Sequence, residues 1–202
     1  GREILDPAMM YPCRDMEQLC YKEMLTDNTV KKMPRKEDMV LDAANICRLG
    51  KDWVYLESDS GNAKAYEWLC EQYPSINIEK VNFYAGVHID STIVPLREGV
   101  AICNKPRVKS KRYLPPCMKD WEIIWVEDVT AQVFYQYPYA SKWIGLNMLS
   151  INKDTVIVDT AQLELSTVLE KKGFTVIPHT LRHSRTLGGG HHCVTLDTWR
   201  EN

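Results

Sequence analysis

No apolar run in the sequence approaches the ~20 residues that a bilayer-spanning helix needs, and the opening GREILDP has no signal-peptide pattern. Membrane association is therefore not expected, and a cytoplasmic protein is. A surplus of either charge is also missing: 25 Lys and Arg stand against 27 Asp and Glu, with no long block of one sign. That balance argues against nucleic acid as a partner, because a nucleic-acid footprint needs clustered basic groups. The one basic concentration, Lys105, Arg107, Lys109, Lys111 and Arg112, reads as a solvated loop. Cysteine occurs seven times but never as C-x-x-C, so neither zinc ligation nor dithiol redox chemistry is indicated. The odd count and irregular spacing predict mostly reduced core thiols. What is present, 45% hydrophobic and 26% charged residues over 202 positions, suits a globular domain or a large part of one. Gly1 followed closely by apolar Ile4 and Leu5, without a methionine or leader, reads as an excerpt of a longer chain.

Two stretches repeat one plan. Residues 53–57 (WVYLE) read as a buried strand, 62–72 as a helix with Ala65, Trp68 and Leu69 on one face, and 76–81 as a second strand. About a hundred residues later, 155–159 (TVIVD), 162–171 and 174–178 repeat strand, helix, strand, with Gly173 placed to stop the helix. Between them, 92–95 and 100–104 look like paired strands, 121–127 like a further strand, and 142–149 like a short helix. Residues 31–36 (KKMPRK) read as an exposed linker or lid. Alternating strands and helices in recurring units predict an α/β fold built from similar modules, with residues 1–202 forming a single domain.

The chemically suggestive groups lie in the turn-rich segments beyond the strands, where a rigid scaffold tends to present them. Cys193 follows three glycines and two histidines and precedes a possible strand, 194–196. A thiol there is either a nucleophile activated by neighbouring donors or a buried side chain after a flexible turn. His88 and Asp90 form H-I-D; if the backbone is extended, the two share a face, as an acid/base with its carboxylate or as ordinary surface groups. Asp90 could instead grip a planar cation, since paired guanidinium donors match two carboxylate oxygens. Asp42, in LDAAN, is either a partly buried carboxylate with a cationic partner or a helix cap. His191, His192 and Cys193 are adjacent and cannot readily converge on one tetrahedral ion, and GGG lacks the dinucleotide spacing. No metal and no organic cofactor is expected.

Four segments together are more specific. The run LDAANICRLGKD (41–52), HIDSTIVPLREG (88–99), SKWI (141–144) and LGGGHHCVTLD (187–197) resemble, in order, the signature segments of the arginine:glycine amidinotransferase family. That resemblance implies the pentein fold of guanidino-group-modifying enzymes, five ββαβ modules about a pseudo-fivefold axis, here without its first module and the second guanidinium-binding aspartate that module would carry. It implies Cys193 as nucleophile, His88 as general acid/base and Asp42 as the carboxylate behind the histidine, all meeting in one cavity. Asp90 would hold the guanidinium, Arg107 the substrate α-carboxylate, and Ser141 would be a polar substrate contact.

The implied reaction moves the amidino group of L-arginine, through a covalent amidino-cysteine, to an acceptor amine and releases ornithine. Both partners are small molecules, and a homodimer is kept open. Ala85, Gly86 and Val87 replace residues that shape the acceptor pocket in glycine-using relatives, which points to an acceptor larger than glycine, as in the antibiotic and toxin branches of the family. The rival readings are an arginine deiminase-type hydrolase giving citrulline and a non-catalytic assembly subunit of the same fold.

Overall fold

Short apolar runs punctuated by turns build the same unit of structure repeatedly. A computed structural model describes residues 2–20, 22–35, 38–86, 88–131 and 139–197. The chain divides into two compact units, Gly1–His88 with Asp197–Asn202, and Ile89–Leu196.

In the first unit, β1 (Arg2–Asp6) and β2 (Asn28–Lys32) pair in parallel, joined through the 3-10 stretch Pro12–Cys20. Strand β3 (Ile46–Leu49) turns at Gly50, whose φ of +71° a side chain would resist, into antiparallel β4 (Asp52–Leu56). Helix α1 (Ala63–Gln72) then crosses over, and β5 (Asn77–Val81) returns parallel to β4. The helix starts where Asn62 Oδ1 accepts the Ala65 N–H at 3.1 Å, which caps one of the otherwise unpaired donors of the first turn. Ala65 and Leu69, one turn apart, are thereby turned onto Leu41, Tyr55 and Ile78 in the core. Burial of a side chain such as Leu69 contributes about 2 kcal/mol.

In the second unit, β6 (Ile93–Arg97) and β7 (Val100–Asn104) form an antiparallel hairpin, and the one-turn helix α2 (Lys105–Val108) opens the crossover to β8 (Glu122–Val126), parallel to β7. The plan recurs in β9 (Leu149–Ser150), antiparallel to β10 (Thr155–Asp159), then helix α3 (Leu163–Lys171) and parallel β11 (Thr175–His179). Gly173, at φ +85°, ends α3 as the sequence predicts. A last helical turn, α4 (Ser184–Leu187), leads to the glycine run. The core joins Ile102, Ile124, Leu146, Val156, Val158 and Leu169. Among the described residues, hairpin, crossover and parallel strand thus occur three times, in separate three-stranded sheets, and the class is α/β as expected.

Several expectations are corrected. Lys31 and Lys32 belong to β2, and Met33 is buried with its N–H on the Asp6 carbonyl, so the segment read as a linker or lid is partly sheet; Lys36 lies outside the described residues. The basic stretch is no simple loop, because α2 buries Val108 within it. Residues 194–196 form no strand. The segment 142–149 is a 3-10 turn over Lys142–Leu146 followed by β9 rather than one helix. Among the cysteines whose side chains are described, only Cys47 and Cys103 are buried, so core thiols are the minority. No helix among the described residues is long and apolar enough to cross a membrane.

Candidate active site

The first unit brings Asp42 and His88 together across 46 residues. Asp42 stands before the 3-10 turn Ala43–Asn45 but its side chain makes no cap bond there, which removes the capping alternative. Its Oδ2 faces His88 Nε2 at 2.9 Å and accepts from Arg14 Nη1 at 3.2 Å, while Oδ1 accepts the Met10 N–H at 2.9 Å. Burial would raise the Asp42 pKa, but the bonds from His88 and Met10 and the nearby positive charges outweigh it and hold the carboxyl below its usual range. Arg14 is itself held in a bidentate pair with Glu17. The histidine takes φ +58°, an uncommon value for a residue with a side chain, and its carbonyl accepts the Tyr84 hydroxyl. The condition for His88 and Asp90 to share a face, an extended H-I-D, is not met: a turn begins at Ile89, with Thr92 N–H on the Ile89 carbonyl. Of the positions expected from the sequence to shape an acceptor pocket, Ala85 and Gly86 are exposed and Val87 lies outside the described residues.

The second unit brings Asp90 and Cys193 together across 103 residues. Cys193 Sγ donates to Asp90 Oδ2 at 3.4 Å, and His192 Nδ1 is 3.1 Å from the same oxygen. Cys193 is exposed as a residue, yet burial of the sulfur is the largest influence on its thiol. Burial and the Asp90 charge push the thiol up to about 12, against smaller opposing effects of Gly190 and Asn147. In this state the nucleophile candidate is a protonated thiol paired to a carboxylate. The loop is pinned from below: Cys193 N–H donates to Asn147 Oδ1 at 3.0 Å and His192 N–H to the Asn147 carbonyl at 3.3 Å. Gly190 is needed here, because a Cβ on it would stand 2.5 Å from Asn147 Oδ1.

Arg107 is placed beside the Asp90 segment, its Nη1 donating to Ser91 Oγ at 3.1 Å and Thr92 Oγ1 at 2.8 Å. Ser141 is exposed at the start of the 3-10 turn and its hydroxyl makes no cap bond. His191 turns away from Cys193 toward His179, with Nε2 3.1 Å from His179 Nδ1, and burial lowers its pKa. Among the described residues no three His, Cys, Asp or Glu side chains are grouped to hold a metal ion. Sequence reasoning missed Arg14 and Asn147. The R-x-x-E spacing of Arg14 and Glu17 was a signal for an ordered arginine, whereas Asn147 offered none.

No protein-family model matches the chain. Among curated proteins it is similar to inosamine-phosphate amidinotransferase 1 of Streptomyces griseus, 37% identical over an alignment that covers 99% of this chain and 65% of the relative. Among solved structures, the inosamine-phosphate amidinotransferase of Streptomyces griseus matches with a TM-score of 0.91 at 35% identity, over 100% of this chain and 66% of that one. An amidinotransferase of the saxitoxin biosynthetic pathway from Microseira wollei matches with the same TM-score, 0.91, at 25% identity, over 100% of this chain and 68% of that one. The chain spans 65% of the length of the first curated relative it matches.

Proposed function

Because the chain belongs to the amidinotransferase family, we propose that it carries the reacting residues of an enzyme that transfers the amidino group of L-arginine to an acceptor amine. The observation that carries this reading is the Cys193–Asp90 pair, a thiol 3.4 Å from a carboxylate suited to a guanidinium. An arriving guanidinium would pair with Asp90 and cancel the charge that keeps the thiol protonated, so the thiol passes its proton to His88 and becomes the nucleophile. The Cys193 sulfur then bonds to the guanidinium carbon. The bond from that carbon to the departing nitrogen breaks as His88 supplies a proton, leaving ornithine and an amidino-cysteine.

In the second half the acceptor amine bonds to the same carbon and gives a proton to His88, and the carbon–sulfur bond breaks to leave a thiolate that takes this proton back from His88 and restores the resting thiol. Asp42 fixes which nitrogen does this work: with the ionised carboxylate taking the Nε2 proton, Nδ1 is the nitrogen left to exchange protons. Arg107 is assigned the α-carboxylate of arginine and Ser141 a polar contact to substrate. The ββαβ repeats are assigned to a pentein propeller, in which residues 1–202 form one catalytic domain. No cofactor enters the scheme. The acceptor is assigned as an amine larger than glycine, since the relatives named for inosamine phosphate are 34 to 37% identical to this chain and those named for glycine 27 to 28%.

The test is mass spectrometry of the full-length protein with guanidino-labelled arginine. Without acceptor, the label should appear on the Cys193 peptide with release of ornithine; citrulline without ornithine, or label on another cysteine, would overturn the reading. With competing amines, glycine preferred over every larger amine would overturn the acceptor assignment alone.

A further inference from the structure

Asn147 is 1% exposed and has no role in the reaction assigned so far. Its orientation is fixed by chemistry: the Cys193 backbone can only donate, so the atom 3.0 Å from that N–H must be the amide oxygen. The Nδ2 group is therefore the other end of the amide, and it is buried without a hydrogen-bond acceptor among the described residues. A buried donor left unpaired carries a desolvation cost, and a catalytic role is one reason a native fold keeps one. The surroundings hold the amide in this pose, since Gly190 leaves no room for a Cβ against it and the Asn147 carbonyl also takes the His192 N–H.

We infer that Asn147 is the positioning residue of the nucleophile: its oxygen fixes the Cys193 backbone, and its free amide N–H is reserved for the Cys193 sulfur when that sulfur is charged. A thiol offers Nδ2 only a weak acceptor, whereas a thiolate is a strong one, so the bond missing in the resting state forms on ionisation. Consistently, the Asn147 side chain already acts on the thiol in the direction that favours its charged form, against burial and Asp90. The same contact would hold the sulfur during the return step, when the carbon–sulfur bond breaks and the thiolate leaves. This inference rests on Cys193 as the reacting thiol.

The experiment titrates Cys193 in the intact protein by the pH dependence of iodoacetamide alkylation, resolved by peptide mapping, in wild type, Asn147→Ala and Asn147→Ser. Serine is smaller than asparagine and keeps one hydroxyl oxygen able to accept, but it has no second polar atom to donate to the sulfur. Both variants should show the alkylation curve displaced to higher pH by about one unit, and kcat lowered about a hundredfold, the size seen when one preorganised donor is removed, with arginine KM changed less than about threefold. A lower melting temperature with the thiol titration unmoved in either folded variant would mark a purely structural asparagine and overturn the inference. Alkylation needs no turnover: a displaced curve in a protein that transfers nothing would sink the proposed activity and leave the role of Asn147 standing.

Discussion

Replacing Asp90 by asparagine separates two effects that the geometry assigns to one carboxylate. Asparagine keeps an oxygen able to accept from the Cys193 thiol and removes only the charge. At 3.4 Å, two unit charges repel by about 5 kcal/mol at an effective dielectric of about 20, and by about 1 kcal/mol in bulk water. The Cys193 loop is exposed, so screening keeps the result in the lower part of that interval, about 1.5 to 3 kcal/mol, or one to two pKa units at about 1.4 kcal/mol each. The thiol, pushed up to about 12 in the resting protein, should therefore titrate lower in Asp90→Asn. Alkylation of Cys193 at pH 8, followed on its own peptide because Cys13 is also exposed, should accelerate about ten- to a hundredfold. Amidino transfer should move the other way, falling about a hundredfold or more as the guanidinium loses its charged partner. Alkylation no faster than wild type would refute the claim that Asp90 holds the thiol in its protonated form.

Asp42→Asn should destabilise the protein by about 3 kcal/mol at pH 7, because it leaves the partners of a buried carboxylate unpaired, and should abolish transfer. The native carboxyl is held below its usual pKa, so this stabilisation is complete above about 3.9, the unfolded value, and is lost as pH falls through the lower native value. Urea melts of both proteins should therefore converge on acidification; a gap that stays constant to low pH would count against the ionised pair. Gly190→Ala should cost about 1 to 3 kcal/mol and at least tenfold in turnover, since the new Cβ would meet Asn147 Oδ1 at 2.5 Å. A wild-type melting temperature and rate would show that the loop has slack there.

The elements with a full apolar signature were legible in the sequence. Strands β4, β7 and β10 are short buried runs, and α1 and α3 carry a helical stripe of buried leucine or alanine between them. The third copy of the repeat was not, because its crossover helix is cut to one turn at Lys105–Val108 and has no period to count. Strand β2, NTVKK, reads as polar because its lysines are used for their position: Lys31 Nζ lies 4.7 Å from the Tyr73 ring centroid, a cation over an aromatic face. At the site, residue types with conspicuous chemistry were found, and the groups that hold them were not. Asn147 falls between Leu146 and Met148 in an apolar stretch, and only its contact with a backbone N–H 46 residues away reveals a use.

The repeat also sets an order of assembly. Among the described strands, no ladder joins residues further apart in the chain than Arg2 and Asn28, so each sheet closes over a short loop. The chemical contacts close over much longer spans, 46 residues for Asp42 with His88 and for Asn147 with Cys193, and 103 for Asp90 with Cys193. Loop-closure entropy grows with span, and contacts that bury little apolar surface recover little of it. The sheets can therefore form early and survive longest, while the reactive geometry is the last to be completed on folding and the first to be lost in mild denaturant. Activity should fade while the far-ultraviolet circular dichroism of the sheets and helices is still native.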